Sequence, residues 1–207
     1  MNQNYIQAPL PFQGQKRRFL TAFKEALNGF QSKIIFVDLF GGSGLLSHTV
    51  KQAMPGAQVV YNDFDGYSVR LANIANTNAL LADIRASVGT LEGDKKLSDE
   101  QRARVLERVG KETGYVDYIT LSSSLLFSMN YATSFEELSK QAMYNCIRKS
   151  DYLLCSDYLA GVDVVKMDYK ELYNQYKNIP GVVFLVDPPY LSTDVSTYSK
   201  EDYWRVD

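Results

Sequence analysis

The sequence predicts an α/β protein, a doubly wound and mostly parallel sheet interrupted by an inserted, largely helical segment. Three observations predict it. Residues 34–75 run strand, glycine turn, helix, strand, acid, helix. That succession lapses over residues 84–150 and then resumes with two further strands, each leaving into an acid. Strands alternating with helices build parallel sheets whose ligands lie outside the carboxyl ends of the strands.

An arm punctuated by Pro9 and Pro11 opens the chain, and Phe19, Leu20, Phe23, Ala26 and Leu27 are spaced for one face of a helix. Ile34–Val37 is the first strand and runs into Asp38-Leu39-Phe40-Gly41-Gly42-Ser43-Gly44. The next helix carries Leu45, Leu46, Thr49, Val50 and Ala53, and Pro55-Gly56 stops it. Ala57–Tyr61 is the second strand, followed by Asn62-Asp63-Phe64-Asp65 and a helix through Val69, Leu71, Ala72, Ile74 and Ala75.

The segment 84–150 does not read as a βα repeat. It offers a polar helix over Asp99–Val109, a break at Gly110 and Gly114, the stretch Ser122–Met129 and a helix over Phe135–Arg148. Beyond it Val162–Lys166 is a short strand, Met167-Asp168 its exit and Tyr169–Tyr176 a helix. Gly181–Val186 is apolar throughout, as a buried parallel strand should be, and leads into Asp187-Pro188-Pro189-Tyr190. The expected organisation is a core of residues 1–83 and 151–207 with an insert over 84–150.

With 207 residues, 45% hydrophobic, the chain can bury a sizeable core, and its net charge of −2 gives no global field toward nucleic acid. A local basic groove remains compatible with that charge. Cys146 and Cys155 lack zinc or redox-pair spacing and read as free thiols; a single histidine, His48, argues against a His-rich metal centre or a Ser-His relay. No metal site is expected. There is no signal-peptide pattern at Met1–Tyr5, and no apolar run nears the roughly 18 residues of a membrane span, so the expectation is a cytoplasmic protein without a membrane partner.

Chemistry concentrates at the strand ends. An acid, two prolines and an aromatic ring at 187–190 make a stiff hook that can hydrogen-bond and stack one flat, nitrogen-bearing ring. Asp187 and the Pro188 carbonyl would hold an exocyclic amine while Tyr190 stacks on its ring. Two acceptors on the amine hydrogens localise a lone pair otherwise delocalised into the ring, favouring attack on an electrophilic methyl. A base inside a duplex cannot reach such a hook and must be flipped out.

Gly41, Gly42 and Gly44 either leave room for a ligand at a helix N-terminus or merely close a tight βα turn. Neither G-x-G-x-x-G nor a P-loop lysine is present, and Asp38 suits a ligand ammonium better than a pyrophosphate. Asp63 can take both hydroxyls of a ribose or cap the next helix, and Asp65 offers the same two choices. Met167 and Asp168 could meet a base and its amine, or be a core methionine and a helix cap. The arm Phe12-Gln13-Gly14-Gln15-Lys16-Arg17-Arg18 could clamp a carboxylate or touch phosphate, or be a solvated helix start. In the insert Lys95, Lys96, Arg102, Arg104, Arg108 and Lys111 are interspersed with acids, which weakens the case for DNA contact; Lys140, Arg148 and Lys149 are further phosphate candidates.

Taken together, Asp187-Pro188-Pro189-Tyr190, the glycine turn from Asp38 to Gly44 and Phe12–Lys16 resemble the Dam-like (D12 class) DNA adenine-N6 methyltransferases, over roughly residues 9–80 and 160–198 and in the same order. The resemblance implies the S-adenosylmethionine-dependent methyltransferase fold, with S-adenosyl-L-methionine as cofactor and double-stranded DNA as partner. Its activity would be methylation of a flipped-out adenine at N6, of the kind found in restriction-modification systems. It places the cofactor on Phe12, Lys16, Asp38, Phe40, Gly41, Gly42, Gly44, Asp63, Met167 and Asp168, and catalysis on Asp187, Pro188, Pro189 and Tyr190. It also makes 84–150 the target-recognition segment. The arm departs from the family pattern, with Gly14-Gln15-Lys16 in place of Gly-Gly-Lys. The chain ends about 17 residues past the hook, so a further C-terminal segment or a partner is expected to complete the sheet. Alternatives are a relative that binds cofactor or DNA without turnover, or an enzyme acting on cytosine N4 or RNA.

Overall fold

A computed structural model describes residues 5–30, 34–89, 95–127 and 130–188. In chain order a 3₁₀ turn at Arg17–Phe19 leads into α1 (Leu20–Leu27), then β1 (Ile35–Asp38), α2 (Leu45–Ala53), β2 (Gln58–Asn62) and α3 (Tyr67–Ala72). After these come α4 (Ile74–Val88), α5 (Asp99–Gly110), α6 (Tyr118–Leu125) and α7 (Phe135–Ser139). Finally β3 (Asp163–Val165), α8 (Tyr169–Tyr176) and β4 (Val182–Leu185) return to the sheet. No helix among the described residues is long and apolar enough to cross a membrane.

Packing divides the chain into two units, residues 1–71 with 155–207, and residues 72–154. The first holds a four-stranded, all-parallel sheet in the order β3-β2-β1-β4. Alternation along the strands fills both faces. Phe36, Val59, Val183 and Leu185 pack with Phe23 and Leu27 of α1 and Val50 of α2. Val37, Val60, Val182 and Phe184 point the other way, toward Leu172, Tyr169 and Tyr176 of α8. Helices on both faces of a parallel sheet are the doubly wound arrangement.

The order of the strands matters for function. From β1 the chain goes first to β2 and β3 on one side, and only later to β4 on the other. The carboxyl ends of β1 and β4 therefore flank the switch point of the sheet, where ligands of open α/β folds lodge. Asp38 at the end of β1 pairs in register with Leu185, and the Leu39 N–H donates to the Leu185 carbonyl (3.1 Å). Asp187 is two residues further on.

The N-terminal arm is pinned to this unit by polar contacts. The Tyr5 N–H donates to His48 Nε2 (3.3 Å), His48 Nδ1 faces the Tyr158 carbonyl (2.7 Å), and the Tyr5 hydroxyl donates to Asp157 (2.7 Å). A carbonyl only accepts, so His48 carries its proton on Nδ1 and accepts on Nε2. Burial lowers its pKa, which suits this neutral form. The Leu10 N–H donates to the Tyr67 hydroxyl (2.9 Å), and Arg70 donates to the Pro11 carbonyl (2.7 Å).

In the second unit α4 packs against α5. A capping box starts α5: the Gln101 N–H donates to the Ser98 hydroxyl (3.2 Å), and the Ser98 N–H donates to Gln101 Oε1 (2.9 Å). The helix expected over Phe135–Arg148 ends at Ser139. Arg102 donates to the Ser139 and Gln141 carbonyls, satisfying acceptors at its end. Beyond it the backbone turns to pair elsewhere: the Leu97 N–H donates to the Met143 carbonyl (2.9 Å), Lys96 bridges Tyr144 antiparallel, and the Tyr144 N–H donates to the Leu125 carbonyl (2.7 Å). Tertiary pairing overrides local helix preference there. Of the cations singled out in this unit, Arg104 pairs with Glu100, Arg108 with Asp83 and Glu112, Lys111 with Glu107 and Lys140 with Glu136. Its polar helix thus presents mixed charge.

Candidate active site

The carboxyl edge of the sheet collects the acids expected from the sequence. Asp38 is 1% exposed; the Ser47 hydroxyl of α2 donates to its Oδ2 (2.7 Å), while Oδ1 has no hydrogen-bond partner by distance and angle among the described residues. Burial raises its pKa to about 7 against the opposing Ser47 bond; the charge of Asp187 adds to the rise and the nearby Phe40 N–H, too poorly aligned to fill Oδ1, works weakly against it. A buried carboxylate with one oxygen unanswered is costly unless something cationic or hydrogen-bearing meets it. Asp38 therefore fits the ammonium of an amino-acid-bearing ligand.

Asp187 stands across the switch point, its Oδ2 3.0 Å from Lys16 Nζ. The arm lysine and the hook acid are thus brought together, although they lie at opposite ends of the chain. Pro188 is half-buried beside Asp187. The expected hook residues Pro189 and Tyr190 lie outside the described residues.

The glycine turn is as sharp as its composition demands, with Gly42 and Gly44 at φ 51° and 70° and Gly44 at the N-cap of α2. A Cβ on Gly41 would lie 2.1 Å from Cε2 of Tyr61 and 2.9 Å from the Asn62 carbonyl oxygen, and one on Gly42 would lie 3.1 Å from the Phe12 ring. Close approach by the protein's own rings accounts for these two glycines. Gly41→Ala should therefore cost about 1–3 kcal/mol, read as a lower urea midpoint, because Tyr61 is fully buried and cannot swing aside. A midpoint equal to wild type would show the turn to be slack.

Asp63, for which the sequence left a ribose contact and a helix start open, sits at the start of α3. It is buried, and its Oδ1 accepts from the Tyr67 N–H (2.6 Å) and the Tyr61 hydroxyl (2.9 Å). Its Oδ2 accepts from the Ser68 N–H (2.9 Å) and hydroxyl (2.5 Å). The Tyr61 hydroxyl has one proton to share between Asp63 and the Gly42 carbonyl, so the three bonds from Tyr67 and Ser68 are the ones that anchor Asp63 at the start of α3. Asp63→Ala should lower stability by about 1–2 kcal/mol through the lost cap, checked by the same urea titration. A variant as stable as wild type would contradict the cap. Asp65, on the same loop, is half-exposed.

Asp168 accepts from the Lys170 N–H (2.7 Å) and so caps α8, yet stays partly exposed. Met167 packs with the apolar side chains of that face and is half-buried, as is Phe40, whose ring lies 4.8 Å from that of Tyr169. The edge thus holds Phe40, Met167 and Asp168 next to one another in the fold's own core and loops.

Three residues here were not singled out in the sequence. Ser47 answers one oxygen of Asp38. Asn62, buried, donates to the Leu39 and Met167 carbonyls (3.1 and 3.0 Å) and accepts from the Met167 N–H (3.1 Å), tying three strand exits together. The Tyr61 hydroxyl reaches both the Gly42 carbonyl (2.7 Å) and Asp63, and burial raises its pKa well above the ordinary value, which keeps it a donor. The available signal was a polar residue on an otherwise apolar face.

The fold and the site define a doubly wound α/β protein with two carboxylates, Asp38 and Asp187, at the β1/β4 switch point. Comparison with known proteins narrows the class. The model of the D12 class N6 adenine-specific DNA methyltransferase family matches residues 12–205, so the chain belongs to that family. A Haemophilus influenzae (strain ATCC 51907 / DSM 11121 / KW20 / Rd) protein provisionally named as a methyltransferase is 41% identical over 207 residues, which covers 98% of this chain and 70% of that protein.

Proposed function

We propose that the protein methylates the N6 amine of an adenine flipped out of double-stranded DNA, using S-adenosyl-L-methionine. The observation that carries this reading is the placement at the β1/β4 switch point of Asp38, one oxygen of which has no partner among the described residues, and of Asp187, two residues past Leu185, the register partner of Asp38. When bound, the cofactor supplies an electrophilic methyl group. Asp38 holds its ammonium, and Lys16, with Phe12 beside the Gly41–Gly44 turn, faces its carboxylate. Phe40, Met167 and Asp168 receive its adenine. Asp63, or Asp65 on the same loop, takes the ribose.

The hook residues do the chemistry of the target. Asp187 and the Pro188 carbonyl accept from the amine hydrogens, Pro189 keeps the turn stiff and Tyr190 stacks on the flipped base. The amine nitrogen is thereby directed at the methyl, and its surplus proton leaves along the bond to Asp187. Residues within 84–150 read the DNA sequence. Expression in cells lacking adenine methylation, followed by nucleoside analysis of their genomic DNA, tests the reading. N6-methyldeoxyadenosine supports it; N4-methylcytosine alone, or no methylated base, contradicts it.

A further inference from the structure

We infer that Lys16 serves two anions in turn, the Asp187 carboxylate before the cofactor arrives and the cofactor's own carboxylate afterwards, so that loading the cofactor releases Asp187 to hold the target amine. This rests on the proposed function of the site. Its starting point is the 3.0 Å ion pair between Lys16 Nζ and Asp187 Oδ2. Held there, the ammonium occupies an oxygen that the target amine needs and draws electron density from the acceptor.

The backbone around Lys16 is fixed. The Phe19 N–H donates to the Lys16 carbonyl (2.8 Å), α1 follows in the core, and Gln15 is braced to the Ala8 N–H (3.2 Å) and the Leu10 carbonyl (3.4 Å). Only the side chain has freedom to change partners, and a lysine carries its charge on a flexible four-carbon stem. A zwitterionic cofactor brings one cation and one anion. With its ammonium on Asp38, its carboxylate enters an edge already holding two protein carboxylates and needs a cation, which the fold has placed at this edge in Lys16. The pair is about a quarter exposed on each side, so breaking it is inexpensive.

The test is a double-mutant cycle on cofactor affinity by calorimetry. Asp187→Asn should tighten S-adenosylmethionine binding about two- to fivefold, the range open to a partly exposed ion pair. The gain should vanish in a Lys16→Gln background, and also in the wild-type background when the ligand is 5′-methylthioadenosine, which has no carboxylate. Lys16→Arg, which keeps the charge, should restore the gain. An unchanged affinity in Asp187→Asn, or a gain that persists with Lys16→Gln or with methylthioadenosine, overturns the exchange while leaving the proposed function standing. If wild-type protein binds no S-adenosylmethionine, the proposed function falls and the exchange with it.

Discussion

Replacing Asp187 by alanine is expected to abolish methyl transfer, with a loss of at least about 10²–10³-fold in rate, while S-adenosylmethionine binding is not weakened. The asymmetry follows from position. Asp187 lies past the end of β4 and takes no part in the strand pairing, which is carried by Val182–Leu185 against β1. Its side chain is about a quarter exposed and its one described ion pair is with Lys16, so truncation leaves the core intact. What it removes is the acceptor that localises a lone pair on the amine. Rate constants at saturating cofactor, together with calorimetry, separate the two effects. Retained activity would show that the hook acid is not the acceptor.

Replacing Asp38 by asparagine should weaken S-adenosylmethionine about 10- to 100-fold, as expected for loss of a buried charge-assisted hydrogen bond. It should also flatten the pH dependence of binding. Burial raises the Asp38 pKa to about 7 in the free protein, from 3.8 for the unburied group. The folded value lies above the unfolded one. The proton-bound form therefore contributes stability that is complete below the unfolded value and is lost as pH rises through about 7. A cofactor ammonium favours the charged carboxylate and expels the proton on binding. Wild-type affinity should thus fall by up to about tenfold for each pH unit below 7, level off above it, and decline again as the ligand amine deprotonates near about pH 8. Calorimetry in buffers of different ionisation enthalpy would detect the released proton. A flat profile in the wild type would place the ammonium elsewhere.

The regular parts of the fold were legible because parallel strands are apolar on both faces and end in turn residues. The strand expected at Ile34–Val37 is observed at Ile35–Asp38, and the helix expected at Tyr169–Tyr176 has those bounds. Glycine spacing disclosed the turn but not its occupants, since the rings of Tyr61 and Phe12 reach it from a neighbouring strand and from the arm. Asp63 shows a different limit. An acid at a strand end can meet a ribose or a helix N-terminus, and the contacts to Tyr67 and Ser68 are visible only in the folded chain. No sequence pattern marks Ser47 and Asn62, because burial, which makes their hydrogen bonds matter, belongs to the folded state. The Lys16–Asp187 pair joins residues from opposite ends of the chain, and no local pattern encodes it.

The central claim is that the acids at the β1 and β4 ends form one methyl-transfer site. Its most direct measurement uses purified protein, S-adenosylmethionine labelled in the methyl group and unmethylated duplex DNA, with chromatography of the digested nucleosides. The account predicts label in N6-methyldeoxyadenosine for the wild type and none above background for Asp187→Ala. Label on another base, or equal label from both proteins, would contradict it.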